Sequence, residues 1–137
     1  MVLPEHTNAM GNIFGGTIMS WVDITASIVA FRHCRNPVVT ASMQEMSFLH
    51  PVQLGDLVIL KASINYASKR SVEVGVRVES ENPLTGRRQH TSSAYLTFVA
   101  LDSDNKAMVV PEVIPETDIE KERYQKAEQR YQSRKKS

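Results

Sequence analysis

The sequence predicts an α+β fold in which an antiparallel sheet curls around one central apolar helix, with a second, polar helix at the C-terminus. Three observations carry this expectation. The segment from Thr17 to about His33 is apolar on nearly every helical face, the pattern of a buried helix rather than a surface one. Strand-like segments then fill the chain from Val38 to Leu101. A single flat sheet cannot cover such a helix on all sides, so the sheet has to curl, and a second subunit has to cover whatever the curl leaves open.

The elements follow in order. Residues 4–16 are dense in turn formers (Pro4, Asn8, Gly11, Asn12, Gly15 and Gly16), which marks a functional or ordered loop. The helix after them ends in Arg32, His33 and Arg35, cations that suit the negative end of the helix dipole, and Asn36-Pro37 stops it. Strands are expected over 38–49, 57–66, 71–79 and 90–101. The third alternates most cleanly: Val72, Val74, Val76 and Val78 face one way, and Glu73, Arg77 and Glu79 the other. Thr117-Asp118-Ile119-Glu120 is a capping box that opens the last helix, acidic at its start and basic at Arg130, Arg134, Lys135 and Lys136. The expected organisation is one folded domain over 1–115 and a charged C-terminal helix and tail over 116–137. The apolar stub Met1-Val2-Leu3 has the look of a first strand that begins further upstream.

Composition narrows the function classes. The chain has 137 residues, enough for one domain with a real core. Its net charge of +1 makes nucleic acid an unexpected partner. The single cysteine, Cys34, allows no internal disulfide and points to the cytoplasm. No segment reaches the ~18 uninterrupted apolar residues of a membrane span, because Ser20, Asp23, Thr25 and Ser27 interrupt the best stretch. Membrane insertion is therefore not expected, nor is a signal peptide, since Glu5, His6, Thr7 and Asn8 follow too soon. The four histidines lack metal-ligand spacing, so no metal is expected.

The residues that could carry chemistry lie close together. Gly15-Gly16 directly precedes the helix, where free backbone N–H groups and the positive dipole end favour developing negative charge. Having no side chains, these glycines let a substrate approach the backbone. Asp23 is the only carboxylate between Glu5 and Glu45, and it sits within the apolar helix, where an unpaired charge is costly. Each has a bland alternative: a tight turn for the glycines, a paired structural carboxylate for Asp23, an Asx turn for Asn8. Together they form an oxyanion site beside a general base or nucleophile, the logic of acyl transfer.

The run HTNAMGNIFGGTIMSWVD, with RHC, VTASMQEMSFLHPV, YASKRSVEV, FVALD and VIPET further on, resembles the acyl-CoA thioesterase family of the hotdog fold. That family includes bacterial single-domain enzymes and the cytosolic and brain acyl-CoA hydrolases of mammals, and the likeness spans nearly the whole chain. It implies hydrolysis of medium- to long-chain acyl-CoA, with CoA as part of substrate and product and no separate cofactor. It also implies homodimers joined edge to edge, assembled as trimers of dimers, with active sites between subunits. The catalytic pair falls on Asn8 and Asp23, from different protomers, with the amides of Gly16 and Gly15 polarising the thioester carbonyl. For the CoA phosphates the resemblance favours Lys69, Arg70 and Ser71, with Arg88 as a further contact; on the residues alone, these are solvated hairpin tips.

Three rival readings remain at this level. A hotdog module that binds acyl-CoA without hydrolysing it would keep the fold. A hydroxyacyl-thioester dehydratase would need a histidine with its acid, and the helix carries none before its end. A basic C-terminal arm for nucleic acid would rest on a few charges that more often keep a terminus soluble.

Overall fold

The computed structural model describes the backbone of residues 1–136, and the side chains except those of Glu45, Met46 and Lys136. A 3-10 turn at Pro4–His6 leads into helix α1 (Gly15–Cys34), strands β1 (Val38–Phe48), β2 (Leu57–Ala67), β3 (Ser71–Glu81) and β4 (Arg88–Ala100), and helix α2 (Asp118–Lys136). The strands form one antiparallel sheet in the order β1-β4-β3-β2. After β1 the chain crosses to the opposite edge of the sheet before returning through the β2–β3–β4 meander.

The sheet wraps α1, as the sequence predicts. Alternation along β3 and β4 turns Val72, Val74, Val76, Val78, Ala94, Leu96, Phe98 and Ala100 inward, all of them buried. They meet a helical stripe at four-residue spacing: Ile18, Val22, Ala26, Ala30 and Cys34. Small residues at Ala26, Ala30 and Ala94 let the layers approach closely. Each fully buried Val or Leu contributes roughly 1.5–3 kcal/mol of transfer free energy.

Helix α1 starts at Gly15, two residues before the expected Thr17, because Phe14 already serves as its N-cap in an extended conformation. At the other end Arg35 takes a left-handed conformation (φ 55°), and its N–H closes the last turn on the Phe31 carbonyl. Within one chain the helix is not covered all round. Opposite the buried stripe, Ile24, Ile28 and Phe31 are half exposed, at 55%, 50% and 50%. The apolar circumference foreseen from the sequence is therefore half satisfied by the sheet and half left bare.

Helix α2 lies on the outer face of the sheet. Half of the expected capping box forms: the Glu120 N–H donates to Thr117 Oγ1, while the Glu120 carboxylate takes the Thr117 hydroxyl in place of its backbone N–H. Tyr124 and Tyr131 pack on Tyr66 of β2, at 5.1 and 5.5 Å between ring centroids. Arg130 makes a bidentate pair with Glu73, both bonds 2.8 Å, and stacks over Tyr95 at 3.7 Å. Glu73, on the polar face of β3, is thus buried beneath a helix rather than solvated. No helix among the described residues is long and apolar enough to cross a membrane.

Candidate active site

The loop before α1 is built by Asn8. Its side-chain oxygen accepts from the Met10 N–H at 2.9 Å and the Asn12 N–H at 3.3 Å. The backbone closes the same turn, with Asn8 N–H donating to the Asn12 carbonyl at 2.8 Å. The Asx-turn role is therefore real, and it fixes the side chain rather than competing with a chemical use. The carboxamide nitrogen makes no bond with any described residue, which leaves a donor available. Ile13 N–H reaches the Val52 carbonyl at 2.7 Å and ties the loop to the β1–β2 connection.

At the helix start, the Gly15 and Gly16 amides make no hydrogen bond with any described residue, as expected of first-turn N–H groups. The two glycines differ in their surroundings. A Cβ on Gly15 would stand 3.3 Å from the ring of Phe48, whereas a Cβ on Gly16 would meet open space. Gly15 thus lets Phe48 pack on the helix end, and Gly16 presents bare backbone to the outside.

Asp23 lies two turns further along α1, partly exposed, and its Oδ1 accepts a 2.7 Å hydrogen bond from the Thr40 hydroxyl on β1. The carboxylate is therefore oriented by a neutral donor and not cancelled by a cation, so its charge stays available. Sequence reasoning missed Thr40. The only signal was a hydroxyl on an exposed edge strand, and nothing in one chain's periodicity says that it faces the helix acid.

Strand register places the other expected residues. Thr40 pairs with Phe98, which pairs with Val72, so Lys69, Arg70 and Ser71 stand at the Asp23 end of the sheet. Lys69 and Arg70 are exposed, with no ion pair among the described residues, while Ser71 is held by Ser68 at 2.6 Å between hydroxyls. Phe48 pairs with Ser92, which pairs with Val78, so the Gly15 end of α1 lies toward Arg88. Arg88 is bonded to Glu81 at 2.7 Å. The ten residue steps along β3 from Ser71 to Glu81, the partner of Arg88, separate Arg88 from Ser71 by roughly 33 Å, so one chain does not bring the four expected CoA contacts together.

The Thioesterase superfamily model matches residues 10–86, from the Asn8 loop through the end of the β3–β4 turn. The chain belongs to this superfamily, among its acyl-CoA hydrolases. The uncharacterized acyl-CoA thioester hydrolase YkhA of Bacillus subtilis is 44% identical over 98% of this chain and 78% of its own length. An apo-hexameric acyl-CoA thioesterase superposes with a TM-score of 0.95 at 40% identity, covering 99% of this chain and 87% of its own. An acyl-CoA hydrolase from Staphylococcus aureus, solved with butyryl-CoA, CoA and CoA disulfide, gives 0.92 at 40% identity over 98% of this chain and 82% of its own. That hydrolase has also been solved as single alanine variants of one asparagine, one aspartate and one threonine. The mammalian relatives are longer: this chain spans 22% of acyl-coenzyme A thioesterase 11 of Mus musculus. As in these relatives, the fold is a hotdog, a sheet wrapped around a central helix.

Proposed function

We propose that this thioesterase-superfamily protein hydrolyses medium- to long-chain acyl-CoA to fatty acid and CoA, in active sites shared between two subunits. The observation that carries the reading is the Asp23 carboxylate, oriented by Thr40 of β1, on the same half-bare helix whose first turn holds the open Gly16 amide. The S. aureus variants lend support. Their asparagine, aspartate and threonine stand fifteen and seventeen residues apart, in that order, which is the spacing of Asn8, Asp23 and Thr40.

Helix geometry argues for two subunits. Seven residues separate Gly16 from Asp23, so they share a face but lie about 10 Å apart along the axis. An oxyanion donor and the attacking group must converge within ~3 Å of one carbonyl. A two-fold contact between antiparallel α1 helices, centred near the exposed Met19 and Ser20, sets Gly16 of one subunit against the partner subunit's Asp23. The same contact covers Ile24 and brings the loop before the partner subunit's α1 toward Ile28 and Phe31. It also lays the Arg88 end of one sheet beside the Lys69–Ser71 end of the other, so one CoA could be held by cations of both. The edge strand β1 offers unpaired backbone groups for joining the sheets, and trimers of such dimers give the hexamer.

In this site the Gly16 amide, with Gly15 beside it, polarises the thioester carbonyl, and Asn8 orients the water or the carbonyl oxygen. Asp23, held by Thr40, either takes a proton from the attacking water or attacks the carbonyl itself. The first route passes through a tetrahedral intermediate that expels the CoA thiolate; in the second the carboxylate displaces the CoA thiolate to form an acyl anhydride, which water cleaves to fatty acid and free Asp23. CoA enters with the substrate and leaves as product, so the chemistry asks for no further cofactor.

The test is thiol release from a series of acyl-CoAs, short to long, by wild type and by Asp23→Ala. Hydrolysis by wild type, greatest at medium or long chains and reduced by orders of magnitude in a folded Asp23→Ala protein, is the expected result. Acyl-CoA that binds without being hydrolysed would make the protein a binding module instead.

A further inference from the structure

A second concave site lies on the opposite side of the sheet from Asp23, between its outer face and α2. It is a cavity of about 400 Å³, within the usual size range of small-molecule sites. Its floor depends on a glycine: Gly75 of β3 pairs with Ser63 on one side and Tyr95 on the other, and has no side chain to fill the row. A Cβ there would collide with the Asn65 side-chain amide and approach the Tyr95 ring at 3.5 Å. Asn65 is 6% exposed, and its oxygen accepts from the Ser63 hydroxyl at 3.0 Å. Its amide nitrogen makes no bond with any described residue, although it lies against the cavity floor.

The walls are cationic. In the next row Lys61 pairs directly with Arg77, a juxtaposition of like charges that sheets ordinarily avoid. Facing them from the first half of α2 are Arg123 and Lys126. Lys61 and Arg77 share one carboxylate, Glu79, at 3.1 and 2.9 Å. Lys126 has only an exposed pair with Glu122, and Arg123 has no ion pair among the described residues. With Arg130, which also lines the cleft and is paired with Glu73, five cations stand against three carboxylates, an excess of positive charge around a polar floor with a spare N–H donor.

We propose that this cleft is a binding site for a small phosphorylated anion, separate from the hydrolytic site. The phosphate groups take the charge of Arg77, Arg123 and Lys126, and the Asn65 amide donates from below. The phosphates could be those of CoA itself or of an unrelated phosphorylated metabolite, and competition separates the two sources.

The experiment is calorimetric titration of the full chain with inorganic pyrophosphate, against sodium chloride at equal ionic strength, and then repeated with saturating CoA. Saturable binding is expected in wild type and at least tenfold weaker binding in Arg123→Glu/Lys126→Glu. Arg123→Ala/Lys126→Ala, milder and better for the helix, should fall in between and guards against misfolding of the charge reversal. Loss of pyrophosphate binding in the presence of CoA identifies CoA as a ligand of the cleft; persistence identifies another phosphorylated molecule. No binding beyond the salt control, or binding equal in wild type and both variants, overturns the site. The readout is binding alone, so it stands or falls independently of thioesterase activity.

Discussion

The Thr40 hydroxyl donates a 2.7 Å hydrogen bond to the Asp23 carboxylate, joining the edge strand β1 to the middle of the central helix. This contact changes what Asp23 can do. A cation at the same place would stabilise the carboxylate but blunt it as a base; a single neutral donor fixes its direction and leaves its second oxygen for chemistry.

Thr40→Val keeps the shape and removes the donor. Turnover should fall about tenfold, the worth of roughly one lost hydrogen bond, with little change in KM for acyl-CoA. Steady-state kinetics on one preferred substrate decide it. A KM effect without a turnover effect would move Thr40 from orienting the acid to holding the substrate.

The two glycines should separate stability from activity. Gly15→Val pushes a side chain into the Phe48 ring and should cost about 1–3 kcal/mol in thermal unfolding. Gly16→Ala meets open space and should be neutral or stabilising by up to about 1 kcal/mol. Yet its methyl stands where the substrate must approach the amide, so hydrolysis should drop tenfold or more. Gly16→Ala hydrolysing at the wild-type rate would remove the helix start from the site.

The Glu73–Arg130 pair anchors α2, with side-chain exposures of only 3% and 17%. Arg130→Met should destabilise the protein by about 3–5 kcal/mol, because Glu73 is left buried and charged. Glu73→Leu/Arg130→Met should recover most of that loss. Urea unfolding of the three proteins tests the coupling, and a single-variant cost below about 1 kcal/mol would show that α2 is held chiefly by Tyr66, Tyr124 and Tyr131.

Much of this was legible in the sequence, for physical reasons that differ by element. The strict alternation of Val72 to Val78 fixes which face of β3 is buried, and the capping box at Thr117 fixes where α2 begins. Asp23 stood out because a lone acid in an apolar helix needs a reason. Thr40 did not stand out, since a threonine in a strand needs none, and its partner is seventeen residues away through a register only folding sets. Gly75 and the cations around it were equally silent, because nothing in the local pattern says that α2 closes over Lys61 and Arg77. The apolarity of α1 is a demand for cover, and one chain meets only half of it.

The shared site is tested most directly by mixing two inactive proteins. Asn8→Ala and Asp23→Ala, each inactive alone, are co-expressed in equal amounts. If each active site takes Asn8 from one subunit and Asp23 from its partner, random pairing makes half the dimers mixed, each with one intact site. Activity should then return to about a quarter of wild type. Co-assembled oligomers that stay as inactive as the two parents would contradict the account, placing both residues of each site within a single chain.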